Sequence, residues 1–144
     1  MTLKYPLECL KQQTIRNFEA YIIGDGVPEA IKPRLLELVS EDERFHFLDY
    51  PKHSRRGEPY RHELLLVAKG NIVCYLCDRD LWLPNHLEQM VNLLTTADFA
   101  HSLPLHVLPD RKIRTFPVDV SFMGYRHSML SRKDNRIPFS CFAH

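Results

Sequence analysis

The chain has 144 residues, 44% apolar and 26% charged, which is enough for one globular domain with one sizeable core. Its 19 basic and 18 acidic groups leave a net charge of +1, which argues against a dedicated nucleic-acid or membrane-surface protein, since either needs a basic excess. No apolar run approaches the ~20 residues of a membrane span, the N-terminal stretch lacks a signal-peptide core, and four cysteines do not make a disulfide scaffold at this length, so a reducing cytoplasm is the expected compartment.

Residues 2–14 read as a helix. Leu3, Leu7 and Leu10 recur at helical spacing, Thr2 can cap it, and Pro6 is tolerated in its first turn. Residues 17–23 read as a strand closed by Gly24-Asp25-Gly26. An Asp at such a sheet edge can accept hydrogen bonds from a ligand, although Asp-Gly is also an ordinary turn former. Residues 28–40 read as a helix with Ile31, Leu35, Leu38 and Val39 on one face, and residues 44–50 alternate as a half-buried strand does. Residues 51–57 form a basic loop in which Lys52, His53, Arg55 and Arg56 either meet phosphate or are simply solvated. The helix expected at 59–69 carries Arg61 and His62 in its first turn, where a guanidinium and a helix N-terminus together suit an anion.

Residues 71–76 are a short β-branched and aromatic run opened by Gly70, and read as a buried strand. Asp78-Arg79-Asp80 follows at its end, and Pro84 then starts an amphipathic helix to about residue 96, with Leu87, Met90, Val91 and Leu94 inward. Open α/β sheets bind ligands at the carboxyl ends of their strands. An acidic pair there can hold a divalent cation and, through it, a diphosphate; a solvated polar turn is the plain alternative. Trp82 either stacks on a sugar or packs the helix that follows it. Further on, residues 98–109 are expected as a strand, 111–120 as its hairpin partner, 120–125 as another strand and 127–133 as a short helix. Residues 137–144 show no clear pattern.

Cys74-x-x-Cys77 and Cys141-x-x-His144 have zinc-ligand spacing. In a strand, however, residues i and i+3 point to opposite faces, so small buried thiols are the favoured reading. Helices and strands alternate along the chain. This predicts an α/β fold, a mostly parallel sheet with helices on both faces, in a single domain spanning 1–144 that opens on a helix rather than a strand.

Several segments in a common order carry a family resemblance. Residues 3–19, with Gln13, Thr14, Phe18 and Glu19, look like an "SLxxQTYxxFE" segment. Residues 20–26 look like "VIVVDDGS", and Tyr60-Arg61-His62 with Ala68-Lys69-Gly70 like "ARN…ARG". Residues 75–88 look like "FLDDDDLWLPxxLE", and residues 125–129 like "HRRSA". The chain thus resembles glycosyltransferase family 2, whose catalytic domain has the GT-A, Rossmann-like, nucleotide-sugar-binding fold. The resemblance implies a nucleoside diphosphate sugar as donor, transfer to an acceptor hydroxyl, no nucleic-acid partner, and either self-association or a partner subunit. Asp25 would then hydrogen-bond the nucleobase, Arg61 would face the nucleotide or its diphosphate, and Asp78 would lie beside the ribose and metal site. A divalent cation, manganese or magnesium, would sit on Asp78 and Asp80.

Three features depart from that pattern. The family's first strand is absent, so the expected fold is incomplete at the N-terminus. Arg79 stands where the family has a metal-binding Asp; a guanidinium cannot ligate a cation, but it can itself pair with a diphosphate. The region of the catalytic base is also missing, which leaves Asp134 as a weak candidate, with a solvated loop residue as the plainer reading. A degenerate, non-catalytic nucleotide-sugar-binding module is the alternative.

Overall fold

The computed structural model describes residues 2–132 and 137–144. In chain order the elements are α1 (Lys4–Lys11), β1 (Ala20–Asp25), α2 (Lys32–Ser40), β2 (Phe45–Tyr50), α3 (Glu58–Leu65), α4 (His86–Leu93), β3 (Ala100–His101), β4 (Leu105–Val107), β5 (Ile113–Thr115), α5 (Met123–Arg132), a 3-10 turn (Phe139–Cys141) and β6 (Phe142–Ala143). The first half follows the sequence pattern closely. Strands β1 and β2 pair in parallel from Ala20↔Phe45 to Asp25↔Tyr50, with α2 as the crossover that parallel strands require. Leu7 and Leu10 of α1, Leu35, Leu38 and Val39 of α2, Phe45, Trp82 and Leu87 form the main core, with Ala20, Ile22, Phe47, Cys74 and Leu76 packed against it. Each fully buried aliphatic side chain of this kind contributes roughly 1.5–3 kcal/mol.

The expected mostly parallel sheet is not what the chain forms. There are three two-stranded sheets among the described residues, β1–β2 parallel and β3–β6 and β4–β5 antiparallel. The fold is mixed α/β with short strands. Residues 71–76 do not join β1. Cys74 makes one antiparallel bridge to Ala143, flanked by amide bonds between Val73 and His144 in both directions, 2.8 and 3.1 Å. This run finds its backbone partner in residues 143 and 144, which carry no sequence periodicity. The strand expected at 98–109 splits in two around Pro104, which has no N–H to donate to a ladder. The hairpin partner after it is real, with β5 on β4 in the register Val107↔Ile113. The strand expected at 120–125 is instead a turn leading into α5. The Asp119 carboxylate accepts from the Ser121 amide at 2.9 Å, a local bond that competes with extended pairing. Helix α4 begins at His86 behind Asn85, so Pro84 lies in the preceding turn, and Leu3 rather than Thr2 stands at the N-cap of α1.

Two buried polar side chains join α1 to α4. Gln13 is fully buried; its Nε2 donates to the carbonyls of Cys9 (3.0 Å) and Leu83 (2.9 Å), and its Oε1 accepts from the Leu87 amide (3.0 Å). The side chain thereby supplies an acceptor for a helix-start N–H that no intrahelical carbonyl could reach. His86 stacks on Trp82 with centroids 4.3 Å apart, and its Nε2 is buried without a partner. Burial pushes its imidazole down to about 4, so the folded chain keeps it neutral where the unfolded chain, with an ordinary pKa near 6.5, protonates. Stability is therefore expected to fall as pH drops from about 6.5 towards 4, and this contribution should level off below that. Partial solvent access brings the loss to on the order of 2 kcal/mol. Urea titrations across this window check it: His86→Phe should remove that part of the pH dependence, and an unchanged slope in the variant would assign it to other groups.

Candidate functional site

Parallel pairing brings the carboxyl ends of β1 and β2 side by side, placing Asp25 next to Tyr50 and the basic loop that follows. Both Asp25 oxygens are engaged there. Oδ2 accepts from Lys52 Nζ at 2.7 Å, and Oδ1 from the His53 backbone N–H at 2.6 Å. These two donors, Lys52 first, hold the carboxyl below the usual carboxylate range. The turn leaves no room beside it: Gly26 has φ +73°, and an added Cβ would lie 2.6 Å from Lys52 Cβ. Each carboxylate oxygen retains a second lone-pair direction, so the ion pair does not exhaust Asp25 as an acceptor.

Arg61 lies on the other side of Gly57. A Cβ built on Gly57 would be 3.5 Å from Asp25 Cβ and 3.8 Å from Arg61 Nη1, so both side chains border the space that the missing side chain leaves. Gly57 adopts φ +69° at the start of α3, and Pro59 in the first turn fits a position whose N–H has no helical partner. Arg61 Nη1 donates to the Arg56 carbonyl at 3.0 Å, while its guanidinium carbon lies 5.2 Å from the centre of the Phe139 ring. Phe139 packs in turn on Tyr75, centroids 4.5 Å apart. Tyr60 closes this side by stacking on Tyr50 at 4.1 Å.

The acidic turn is held from the same direction. Ser140 Oγ accepts from the Cys77 amide at 2.9 Å and donates to Asp80 Oδ2 at 2.6 Å, and the Ser140 carbonyl accepts from Trp82 Nε1 at 2.7 Å. Three groups of the 77–82 turn are thus fixed by one residue of the 3-10 segment. Trp82 is 8% exposed and serves as packing, not as an open sugar platform. Asp78 and Arg79 project outward, 68% and 80% exposed in their side chains, with Arg79 Nε 3.9 Å from Asp78 Oδ1. Asp25 and Arg61 thus border the same gap at Gly57, Arg61 lies over Phe139, and the neighbouring Ser140 holds Asp80, with Asp78 and Arg79 exposed on that turn. Asp134 lies outside the described residues.

Ser140 and Phe139 were not legible as site residues, because the segment that carries them has no periodicity and a lone Ser has no signature. The participation of Lys52 and His53 was visible only as a basic loop.

The donor set suits a resident metal poorly. Asp80 already accepts from Ser140, Asp78 has a guanidinium beside it, and no third ligand among the described residues completes a set with them. Among the described residues no group of three or more His, Cys, Asp and Glu side chains could hold a metal ion. The four cysteines are free thiols. Burial pushes the Cys74 thiol up to about 11, which disfavours the thiolate that zinc would need. No helix among the described residues is long and apolar enough to cross a membrane.

The chain is thus mixed α/β, with Asp25 at the end of a parallel strand pair and Arg61 in the helix that follows the basic loop. In comparison with known proteins, the chain is similar to the amylovoran biosynthesis glycosyltransferase AmsB of Erwinia amylovora, 32% identical over 92 residues. That match covers 61% of this chain and 30% of the relative, so the chain spans about a third of that protein's length. No family model matches the chain. The similarity supports a glycosyltransferase relationship at that coarse level.

Proposed function

We propose that residues 1–144 form part of a GT-A-type domain of glycosyltransferase family 2 that binds a nucleoside diphosphate sugar and passes the sugar to an acceptor hydroxyl. What supports this reading is the placement of Asp25 and Arg61 about Gly57, and of Asp80 on Ser140 next to the Phe139 ring that Arg61 faces, in a chain similar to a glycosyltransferase. In this proposal Asp25 accepts a hydrogen bond from the nucleobase, and Arg61 pairs with the diphosphate. Arg79, free to swing at the rim, supplies positive charge where a metal would otherwise stand. The acceptor oxygen forms its bond to the sugar's anomeric carbon as the bond to the diphosphate breaks. Cationic side chains stabilise the charge that accumulates on the leaving group. Asp134 is the proposed recipient of the acceptor's proton. Manganese or magnesium on Asp78 and Asp80 would do the same electrostatic work, but their surroundings favour the arginine.

Calorimetric titration with uridine and guanosine diphosphates, with and without manganese, tests the reading. Binding of at least one of them is expected, undiminished by chelator. Arg61→Ala should weaken it at least tenfold, about 1.4 kcal/mol, as for loss of a charge-assisted contact. Failure to bind either nucleotide would sink the site. A second reading, a nucleotide-binding module without turnover, is favoured by Arg79 between two acids. In the same experiment it predicts binding but no cleavage of a nucleoside diphosphate sugar, with manganese-dependent cleavage gained by Arg79→Asp.

A further inference from the structure

The β4–β5 hairpin has no assigned role, all of its paired residues are exposed, and its two faces differ in the residue types they carry. Directly paired residues of an antiparallel ladder share a face. The register Leu105↔Thr115, His106↔Arg114, Val107↔Ile113 therefore puts Leu105, Val107, Ile113 and Thr115 on one side and His106 and Arg114 on the other. On the second side His106 and Arg114 are themselves exposed. His106 and Phe116 line a cavity there with Val118, Tyr125 and Pro138. Nothing among the described residues covers the first side: Leu105 is 60%, Val107 75% and Ile113 68% exposed. A two-stranded hairpin is marginal in water, and one that turns its apolar face outward forgoes the burial that would steady it.

Charge indicates what covers that face. Residues 103–132 hold five basic and two acidic groups, while the rest of the chain holds 14 basic and 16 acidic ones. The near-neutral total conceals a basic segment. Four of its five cations are Arg111, Lys112, Arg114 and Arg126; Lys112 is paired with Asp110 at 2.9 Å on the open surface, where such a pair is weak. The hairpin tip is a turn closed by Arg111 N–H to Leu108 O and Leu108 N–H to Lys112 O, both 2.9 Å. Arg111 occupies its left-handed position at φ +64°. Glycine would sit there without strain, yet the chain puts a cation there. Apolar side chains on one face with cations at the tip match a surface that is apolar below and negatively charged above.

We propose that the β4–β5 hairpin docks the chain on an anionic lipid bilayer, with Leu105, Val107 and Ile113 at the headgroup–acyl boundary and Arg111 and Lys112 among the lipid phosphates. This rests on the hairpin alone, not on the nucleotide site. The test is co-sedimentation of the whole chain with phosphatidylcholine vesicles, with and without phosphatidylglycerol. Binding should require phosphatidylglycerol and weaken as salt rises. It should fall at least tenfold in Val107→Asp and in the Arg111→Gly/Lys112→Gln double variant, each checked for unchanged thermal melting. These positions are exposed, and the glycine relieves strain, so both variants should fold. Absence of binding to anionic vesicles, binding that both variants retain, or self-association that these variants abolish in place of vesicle binding would each overturn the proposal. The last outcome would assign the apolar face to a second copy of the chain.

Discussion

Replacing Gln13 with methionine is expected to destabilise the chain by about 3 kcal/mol. Methionine keeps the volume and apolar contacts of the buried side chain, so the loss isolates the three hydrogen bonds. The Leu83 carbonyl keeps a second donor, the His86 amide at 3.0 Å. The half-buried Cys9 carbonyl and the buried Leu87 N–H both lose the amide. A buried backbone group left unmade costs roughly 1–3 kcal/mol, and two such groups give the stated figure. Urea unfolding followed by circular dichroism measures it. A loss below about 1 kcal/mol would mean that the end of α1 and the start of α4 relax apart and are rehydrated.

Trp82→Ala should be at least as severe, about 3–5 kcal/mol, the range for deleting a large aromatic ring from a core. Here the damage extends beyond the cavity. The ring covers His86 on one side, and its N–H anchors the Ser140 carbonyl. Without it, the residue that fixes Cys77 and Asp80 loses its own tether. Trp82→Phe separates the two effects. It retains most of the packing and removes the donor, so its stability loss should stay near 1 kcal/mol. Nucleotide affinity, measured well below the unfolding transition, should fall in both variants. If Trp82→Phe bound nucleotide as the native chain does, the Ser140 tether would be irrelevant to the site.

How far the sequence could be read depended on how far apart the partners lie. Helices α1, α2 and α4 were visible because Leu7 and Leu10, Leu35, Leu38 and Val39, and Leu87 and Met90 repeat at a period that one helix face imposes. Strands β1 and β2 and their glycine-flanked Asp25 were visible for the same local reason. The Asp25 edge of the site was thus legible as types of residue: an Asp, a basic loop, an arginine at a helix start. Its other edge was not. An apolar run such as 71–76 fits any strand position, and nothing local says that its partner is Ala143 rather than β1. The buried role of Gln13 was equally hidden, since a glutamine near a helix end is ordinarily solvated. Whole-chain charge misled in a different way, because summing over 144 residues averaged a basic hairpin against an acidic remainder.

The clamp of Ser140 on the acidic turn also bears on timing. Its bonds to Cys77, Asp80 and Trp82 span 63, 60 and 58 positions, whereas the Asp25 bonds to Lys52 and His53 span 27 and 28. Closing a longer loop sacrifices more chain entropy, though only as its logarithm, and contacts between distant positions slow the route to the native state. The two halves of the surface therefore mature in sequence. Asp25 and its basic loop can take shape while the chain is still being made, and the turn at Asp80 is set only after residue 140 has arrived.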